Sequence, residues 1–409
     1  MTQPEPGADL YDPFSEEFQC DPYPTYRRLR ELDPVHHRKI GEEHVWILTL
    51  YEDCATVLRD SRSSAEKFPR PLLEQIAASP ESPLGIVARA TLGMMLVKDP
   101  PDHTRLRTLV NKAFTPRRIE ALRGRLQEIV DELLEAVRPR GRMDLISEIA
   151  APLPLVAIAE LLGLPPEDRQ KLKIWSDRFV TFIDGTIRES GLDEAAAAVQ
   201  ELREYLRDFV DDRRARPRED LLSGLVTAHE GGDRLSEDEL YATITLLLAA
   251  GHETTTNLIG NGLLALLRHP DQLEKLRANP DLIRTAVEEL LRFDSPVQVT
   301  SRVPTEELII RGRTIPRGQE INAALGSANR DPAKFVDPDE LDISRRENQH
   351  LSLGLGIHFC LGASLARLEA QLVIGTVVQR MPRLSLETDK LDWRPGIVLR
   401  GLRALPVEF

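Results

Sequence analysis

Helical patterns of hydrophobic and polar positions dominate this chain. In most segments apolar residues recur every three or four positions, which predicts amphipathic helices. The predicted helices cover residues 23–32, 51–60, 102–114, 117–137, 145–163, 166–184, 193–216, 271–278, 281–293 and 361–380. Strand-like runs lie at 44–50, 296–304, 307–315 and 320–325 and in the C-terminal tail. The pattern therefore predicts a mainly α fold with small β-sheets.

One helical pattern, at residues 235–270, is much longer than the others. Ser236 and Glu239 form a capping-box signature at its start, and Pro270 stops it. Residues 236–267 of such a helix span about 48 Å. A globule of 409 residues has a radius of gyration of only about 22 Å. The helix is therefore expected to cross most of the molecule and to lie at its centre.

Two stretches lack a regular pattern. Residues 61–99 are rich in Pro and Ser, and the polar stretch at about 183–192 separates two helical segments. Long loops in compact domains are usually functional or disordered. Neither an internal repeat nor a linker is visible, so we expect one domain over residues 1–409, with residues 1–10 poorly ordered.

Charge and cysteine content narrow the function classes. With 53 Lys and Arg against 66 Asp and Glu, the net charge is −13, which argues against nucleic acid as the main partner. The three cysteines, Cys20, Cys54 and Cys360, are far apart, so a reducing cytoplasm is expected. No signal peptide and no apolar run long enough for a membrane span is visible.

The stretch HLSLGLGIHFCLG, residues 350–362, places a cysteine in a glycine-rich bend just before a predicted helix. Cys360 taken alone is most simply a buried small hydrophobe. A catalytic thiol with His358 as its base is less favourable, because neighbours two residues apart rarely face each other. The third interpretation is a thiolate metal ligand, whose pKa the following helix N-terminus would lower.

The stretch AGHETT, residues 250–255, interrupts the apolar pattern of the long helix. Gly251 costs roughly 1 kcal/mol relative to Ala in a helix, and Glu253 places a carboxylate among apolar residues. A glycine packed against another helix, beside a solvated glutamate, would explain both. A zinc-protease motif is excluded, because the second histidine of H-E-x-x-H would fall at Thr256.

Two weaker signals involve charged side chains. Glu289 and Arg292 stand three residues apart and share one helix face, an arrangement that is common on protein surfaces. The second signal is a dispersed set of basic residues, each of which taken singly is a solvated or capping residue. The set comprises His103, Arg107, Arg302 and His358.

Together these motifs resemble those of the cytochrome P-450 superfamily, in its soluble bacterial branch. Residues 354–362 read G-x-G-x-H-x-C-x-G, like the haem-binding signature, although Leu353 stands where Phe is usual. AGHET is similar to the oxygen-activation segment, and EELLR to the E-x-x-R element. The motifs occur in the family's order from roughly residue 10 to 409.

The resemblance implies a haem b between the long central helix and the Cys-ligand helix, with Cys360 as the iron ligand. It implies catalytic roles in oxygen activation for Thr254 and Glu253, where a kinked helix opens a groove. It implies a structural ion network of Glu289, Arg292 and Arg345. The implied haem contacts are His103, Arg107, Arg302 and His358, which would face the propionates, together with Gly354, Gly362 and Ala250.

The implied reaction is monooxygenation, in which one oxygen atom of O2 enters a hydrophobic small molecule by hydroxylation or epoxidation. Electrons from NAD(P)H would arrive through a separate ferredoxin and ferredoxin reductase, because the chain ends 409 − 360 = 49 residues after Cys360. Alternatives are a peroxygenase driven by hydrogen peroxide, which the Glu253–Thr254 pair disfavours, and a non-catalytic haem-binding protein of the same fold.

Further expectations concern substrate and partners. The two irregular regions would gate an apolar pocket, and we expect a monomer that docks an acidic ferredoxin through a basic patch. The pocket walls are expected to include Leu248, Ala249, Val297, Val299 and Ile397. The basic patch is expected to include Arg105, Lys112 and Arg367.

Overall fold

The computed structural model describes residues 10–40, 43–66, 70–183, 189–230 and 232–409. Its α-helices are α1 (Glu16–Cys20), α2 (Tyr23–Leu32), α3 (Tyr51–Arg59), α4 (Arg70–Ala78), α5 (Pro83–Leu92), α6 (Asp102–Ala113), α7 (Pro116–Ala121), α8 (Arg123–Val137), α9 (Pro152–Leu162), α10 (Arg169–Ile183), α11 (Glu189–Ala215), α12 (Leu221–Thr227), α13 (Glu237–Arg268), α14 (Pro270–Ala278), α15 (Ile283–Phe293), α16 (Leu325–Ala328) and α17 (Ala363–Arg380). The predicted mainly α class with small sheets is confirmed.

The strands form small sheets at the periphery. They are β1 (Val35–Ile40), β2 (Glu43–Leu48), β3 (Ser63–Ser64), β4 (Arg142–Asp144), β5 (His229–Glu230), β6 (Asp233–Arg234), β7 (Val299–Pro304), β8 (Leu308–Ile310), β9 (Arg313–Ile315), β10 (Glu320–Ala324), β11 (Ser385–Leu386), β12 (Asp392–Trp393), β13 (Leu402–Ala404) and β14 (Pro406–Glu408). The largest sheet has the order β1-β2-β10-β7-β3. Strand β10 runs parallel to β2 and antiparallel to β7, with Ile321 opposite both Trp46 and Arg302.

Helix α13 is the centre of the main core. The predicted capping box is present, since the Ser236 hydroxyl accepts from the Glu239 backbone and the Glu239 side chain accepts from the Ser236 backbone. Helices α9, α10, α15 and α17 pack against it. Because neighbours cover it on several sides, α13 is buried along most of its length.

The region predicted as irregular, residues 61–99, contains two helices. In α5 the Ser82 hydroxyl accepts from the backbone N–H of Gly85, and Pro83 occupies the first turn, so a clear N-terminal signal was present. Residues 67–69, and residues 184–188 of the second predicted gate, lie outside the described part of the chain. The long pattern at 117–137 divides into α7 and α8, and residues Ile146–Ala150 form a π-helix before Pro152 starts α9.

Two further sequence expectations concern the ends of the chain and membranes. Residues 1–9, most of the segment expected to be poorly ordered, are outside the described range. Among the helices that the structure describes, none has the length and apolar character needed to cross a bilayer.

Candidate active site

The bend before Cys360 is built on two left-handed glycines. Gly354 and Gly356 both have φ of +70°, and a Cβ at Gly356 would lie 2.6 Å from the carbonyl oxygen of Leu58. The Cys360 N–H closes the bend by donating to the Leu353 carbonyl at 2.8 Å. Only glycine satisfies both constraints at position 356, so the backbone fixes where the cysteine emerges.

The Cys360 thiol sits at the N-terminus of α17, which starts two residues later than predicted. Burial raises the pKa of this thiol, while the backbone N–H groups of Gly362 and Ala363 and the charges of Arg107 and Arg367 lower it. An anionic sulfur therefore has donors and positive charge around it. A Cβ at Gly362 would be 4.0 Å from the sulfur, so that glycine lies against it.

Four basic residues converge beside the bend. The His103 and His358 rings are 4.3 Å apart, and burial together with Arg302, His103 and Arg107 lowers the pKa of His358 to about 3. Burial, followed by Arg107, also lowers the pKa of His103. Both ring nitrogens of His103 and Nε2 of His358 are buried without a hydrogen-bond partner. Buried polar atoms normally have partners, so this cluster fits an acidic ligand.

The two arginines of the cluster also lack carboxylate partners within the described residues. Arg302 is buried, and its Nη1 donates to the Ser301 carbonyl at 2.8 Å and to the Thr300 hydroxyl at 3.4 Å. Burial lowers the pKa of Arg302 and of Arg107. Guanidinium groups recognise carboxylates through paired hydrogen bonds. The sequence analysis had named all four members, and the structure brings them together.

The AGHETT segment has an open face. Ala250 is exposed, and Gly251 and Thr254 are half-buried, although most of the helix is buried. A Cβ on Gly251 would meet no atom within 4 Å. The Thr254 hydroxyl donates to the Ala250 carbonyl at 2.6 Å. The helix runs without interruption from Glu237 to Arg268. The small side chains leave room beside the helix, and the expected kink stays a prediction.

Glu253 is buried and is held by a residue that the sequence did not reveal. Its carboxylate is 3% exposed and accepts from Arg394 Nη1 at 2.6 Å. Burial raises the pKa of Glu253, and Arg394 partly offsets this by lowering it. The two residues are 141 positions apart, and Arg394 follows β12 in the tail. No local pattern could have paired them.

His252, between Gly251 and Glu253, is also buried. Its Nδ1 lies 4.0 Å from Asp177 Oδ1 on α10. Burial lowers the pKa of His252 to about 4, and Asp177 only partly opposes this, so the imidazole is neutral at neutral pH. Another side chain missed by the sequence analysis is Glu369 of α17, whose carboxyl is buried against Thr255 and has its pKa raised well above the ordinary value by burial.

The E-x-x-R pair forms a buried network with the expected third member. Glu289 and Arg292 are both 0% exposed and are joined by two bonds, of 2.7 and 2.8 Å. Arg345 Nε lies 3.1 Å from each oxygen of Glu289, and Asn348 Nδ2 donates to the same carboxylate at 3.1 Å. The carboxylate is saturated with donors, as a buried charge requires.

This network extends to the cysteine bend through Asn329. Arg292 Nη1 donates to the Asn329 carbonyl at 2.9 Å. The Asn329 side chain then accepts from the Leu351 N–H at 2.7 Å and donates to the Ser352 hydroxyl at 2.8 Å. Leu353, the next residue, packs partly buried against the main core, at the position where Phe was expected. The ion network is thus continuous with the backbone that leads to Cys360.

The residues predicted for the pocket wall differ in exposure. Leu248, Ala249 and Val299 are each 2% exposed, whereas Val297 and Ile397 are half-buried. The place of all five in a pocket wall stays a prediction.

Two of the three residues predicted for the docking patch pair with carboxylates. Arg105 contacts Glu239 and lies 3.5 Å from Asp233, and Arg367 bonds Glu288 at 2.6 and 2.7 Å. Lys112 donates to the His229 carbonyl at 3.0 Å. The docking role of all three stays a prediction.

Comparisons with known proteins agree with this geometry. The family model described as Cytochrome P450 matches residues 178–392, which is more than half of the chain. The chain belongs to the cytochrome P450 family. P450s of this family use haem b and O2, with NAD(P)H-derived electrons delivered by redox partners. The residues present fit this cofactor, since they supply a sulfur ligand, an open helix face and an unneutralised basic cluster for two propionates.

Relatives and solved structures place this P450 among monooxygenases. It is 43% identical to cytochrome P450 monooxygenase PikC of Streptomyces venezuelae over 417 aligned positions, covering 100% of this chain and 95% of PikC. It is 41% identical to polyketide biosynthesis cytochrome P450 PksS of Bacillus subtilis (strain 168), covering 98% of each. A crystal structure of P450BioI in complex with a hexadec-9Z-enoic acid-ligated acyl carrier protein has a TM-score of 0.89 and 42% identity, covering 97% of this chain and 100% of that one. The expected P450 fold and monooxygenase class are thereby confirmed.

Proposed function

We propose that this P450 binds haem b through Cys360 and inserts one oxygen atom of O2 into a hydrophobic small molecule, by hydroxylation or epoxidation. The observation that carries this is the Cys360 thiol at the start of α17, with donors at Gly362 and Ala363. Haem b, when bound, supplies dioxygen activation, which thiolate ligation favours. The protein's own task is to bind and orient the haem and the substrate and to deliver protons.

The basic cluster orients the macrocycle in this proposal. His103, Arg107, Arg302 and His358 hold the propionates, because they are the basic groups beside the bend that lack carboxylate partners within the described residues. The guanidinium charges of Arg107 and Arg302 are unfavourable in a partly desolvated site that lacks an anion, and burial lowers the pKa of both groups. A dianionic edge would compensate these charges, so cofactor binding and local stability are coupled.

Two residues of α13 are proposed to deliver protons. The Thr254 hydroxyl is proposed to hold a proton next to the reacting oxygen, since it is half-exposed at the face left open by Ala250 and Gly251. Glu253 is proposed to relay protons from solvent, because its partner Arg394 is 35% exposed while the carboxylate itself is 3% exposed. Movement of Arg394 would thus connect the carboxylate to water.

The substrate is proposed to be a long or bulky apolar molecule, such as a fatty acid, a terpenoid, a steroid or a macrolide. Ala250 and Gly251 leave space beside the helix, and half-buried Val297 and Ile397 are candidates for the wall of a pocket there. PksS is named for polyketide biosynthesis, and the P450BioI structure holds an acyl chain on a carrier protein. Binding of such compounds to the haem-loaded protein would be reported by a shift of the Soret band.

We propose that electrons come from a separate ferredoxin and its reductase, and that the chain works as a single-domain monomer. Ile357 and Phe359 flank the cysteine and are 51% and 40% exposed, which gives a docking protein an apolar contact beside Cys360. Arg367, 32% exposed, is the candidate cation near this contact. Charge reversal at Arg367 that leaves ferredoxin-driven turnover unchanged at every ionic strength would contradict its part in docking.

The decisive test is spectroscopic. The dithionite-reduced, carbon monoxide-treated protein should show the red-shifted Soret band of thiolate ligation, and Cys360→Ser should lose it. Cys20→Ser is the matched control, because Cys20 is exposed and far along the chain. A wild-type spectrum like that of a histidine-ligated globin would refute the ligand assignment.

A second test separates monooxygenase from peroxygenase chemistry. Thr254→Ala should lower product formed per NADH oxidised by about 10-fold or more. Hydrogen peroxide-driven product formation should fall much less, since peroxide brings its own protons. Unchanged coupling in Thr254→Ala would contradict the proton role of Thr254 and favour the peroxygenase alternative.

A further inference from the structure

A cluster of three potential ligands lies on the side of α13 that faces α10. Asp177 of α10 and His252 and Glu253 of α13 each offer one ligand atom, and these atoms all lie within 4.8 Å of one another. The three come from two helices that pack directly together. No role proposed above for haem, substrate or ferredoxin uses Asp177 or His252.

The second observation is that this cluster contains polar atoms without partners. His252 is 1% exposed, and neither of its ring nitrogens makes a hydrogen bond of normal geometry. Asp177 Oδ1 is also buried without a partner and lies 4.0 Å from His252 Nδ1. His252 Nδ1 and Asp177 Oδ1 are too far apart to bond each other directly, and a bound ion could contact both atoms.

The charges around the cluster suit a cation. Two carboxylates face one neutral imidazole, and their other contacts are Lys173 with Asp177 and Arg394 with Glu253. Both cationic side chains are about one third exposed, at 31% and 35%. The Lys173–Asp177 pair is partly exposed on both sides, at 31% and 37%, and such pairs contribute little stability. Glu253 is 3% exposed, so Arg394 can turn into water only when the divalent ion supplies the compensating charge.

We propose that Asp177, His252 and Glu253 form a binding site for a divalent transition-metal ion, with Zn²⁺ as the probe. One imidazole nitrogen and two carboxylate oxygens, with water in the fourth position, match the three-ligand type of zinc site. Tetrahedral zinc places its ligand atoms about 3.4 Å apart. The ligand atoms now lie within 4.8 Å of one another, so the proposal requires the two carboxylates to rotate towards His252.

Such an ion would fasten α10 to α13 beside the AGHETT segment. It would also occupy the Glu253 carboxylate, which requires release from Arg394. If Glu253 relays protons, as the proposed function holds, bound zinc lowers coupled turnover; this consequence, unlike the site itself, rests on that proposal.

The test is a zinc titration of the chelator-treated holoprotein by isothermal titration calorimetry. The wild type should bind one saturable equivalent, and the Soret spectrum should stay unchanged because Cys360 is not involved. Asp177→Asn should weaken zinc binding by at least about tenfold, and His252→Leu should do the same. Asp177 is 37% exposed, so its variant should fold normally even if the buried His252 variant does not.

A matched control is needed, because a second pair of histidines lies elsewhere. His37 Nε2 and His44 Nδ1 are 2.8 Å apart on β1 and β2. His44→Gln should leave the proposed affinity intact, and anomalous scattering at the zinc edge should place the ion between α10 and α13. No saturable binding, or binding lost in His44→Gln but kept in Asp177→Asn, would overturn the site. Zinc bound at Asp177 with unchanged turnover would support the site and contradict the proton relay through Glu253.

Discussion

The strongest structural prediction concerns Glu289. Replacing it with Gln keeps the shape of the side chain but removes the charge that compensates Arg292, and both residues are 0% exposed. An uncompensated buried charge costs about 3–5 kcal/mol. With an unfolding entropy of about 2.1 cal/mol/K per residue over 409 residues, that loss lowers Tm by about 4–6 °C.

The effect should reach the haem, because Arg292 also anchors Asn329, which in turn binds Leu351 and Ser352 just before the cysteine bend. We therefore expect Glu289→Gln to retain less haem and to give a smaller fraction of the thiolate-type carbon monoxide spectrum. The assay is a thermal melt followed at the Soret band, combined with the haem-to-protein ratio.

The chain offers a matched control with the same sequence motif. Glu274 and Arg277 are also an E-x-x-R pair in ion contact, but Glu274 is 66% exposed. Glu274→Gln should cost at most about 1 kcal/mol, or about 1 °C, and should leave the haem content unchanged. Equal effects of the two substitutions would refute the argument that burial, and not the motif, makes Glu289 important.

Three further predictions can be checked independently. Burial raises the pKa of Glu288, but His350 and Arg367 outweigh it and lower this pKa from 4.5 to about 2. The contacts of Glu288 with these two residues therefore stabilise the fold by at most about 3 kcal/mol. This stabilisation is fully present above about pH 4.5 and is lost as pH falls towards 2. Denaturant unfolding at several pH values should show this loss in the wild type and not in Glu288→Gln. Gly356→Ala should abolish haem incorporation, because the new Cβ would lie 2.6 Å from a backbone oxygen. Gly354→Ala is the control, since Gly354 has the same φ but its nearest contact would be at 3.5 Å. A thermal melt should show that Gly354→Ala lowers the stability by only about 1–2 kcal/mol. Arg394→Gln removes the charge that lowers the pKa of Glu253, so the acidic limb of the pH–coupling profile should move to higher pH; an unmoved limb would mean that Glu253 does not control coupling.

The long central helix and the cysteine bend could be foreseen from the sequence. The capping box at Ser236 and the stop at Pro270 are local signals, and they gave the helix within a residue or two of its observed bounds. Gly354 and Gly356 indicated a bend with positive φ, because glycine adopts positive φ more readily than any other residue. These signals act over a few residues, where backbone preferences alone decide the outcome.

The helices within residues 61–99 were not predicted from the local sequence pattern. The Ser82-Pro83 start of α5 was present in the sequence, but frequent Pro and Ser elsewhere in the region suggested a loop. The exposure of the pocket candidates could not be predicted from the local pattern either. Leu248 and Ala249 are each 2% exposed, because the packing of the long helix against its neighbours decides which of its faces is covered.

The sequence by itself determined the family, the central helix, the position of Cys360 and the residue types around it, because motifs and caps depend on neighbours in the chain. Only the tertiary structure decided which charges are buried. It separated Glu289–Arg292 from Glu274–Arg277 by exposure, paired Glu253 with Arg394 across 141 residues, and set Asp177 against His252. The physical reason is that desolvation and charge pairing depend on distance in space, which the chain specifies only once it has folded.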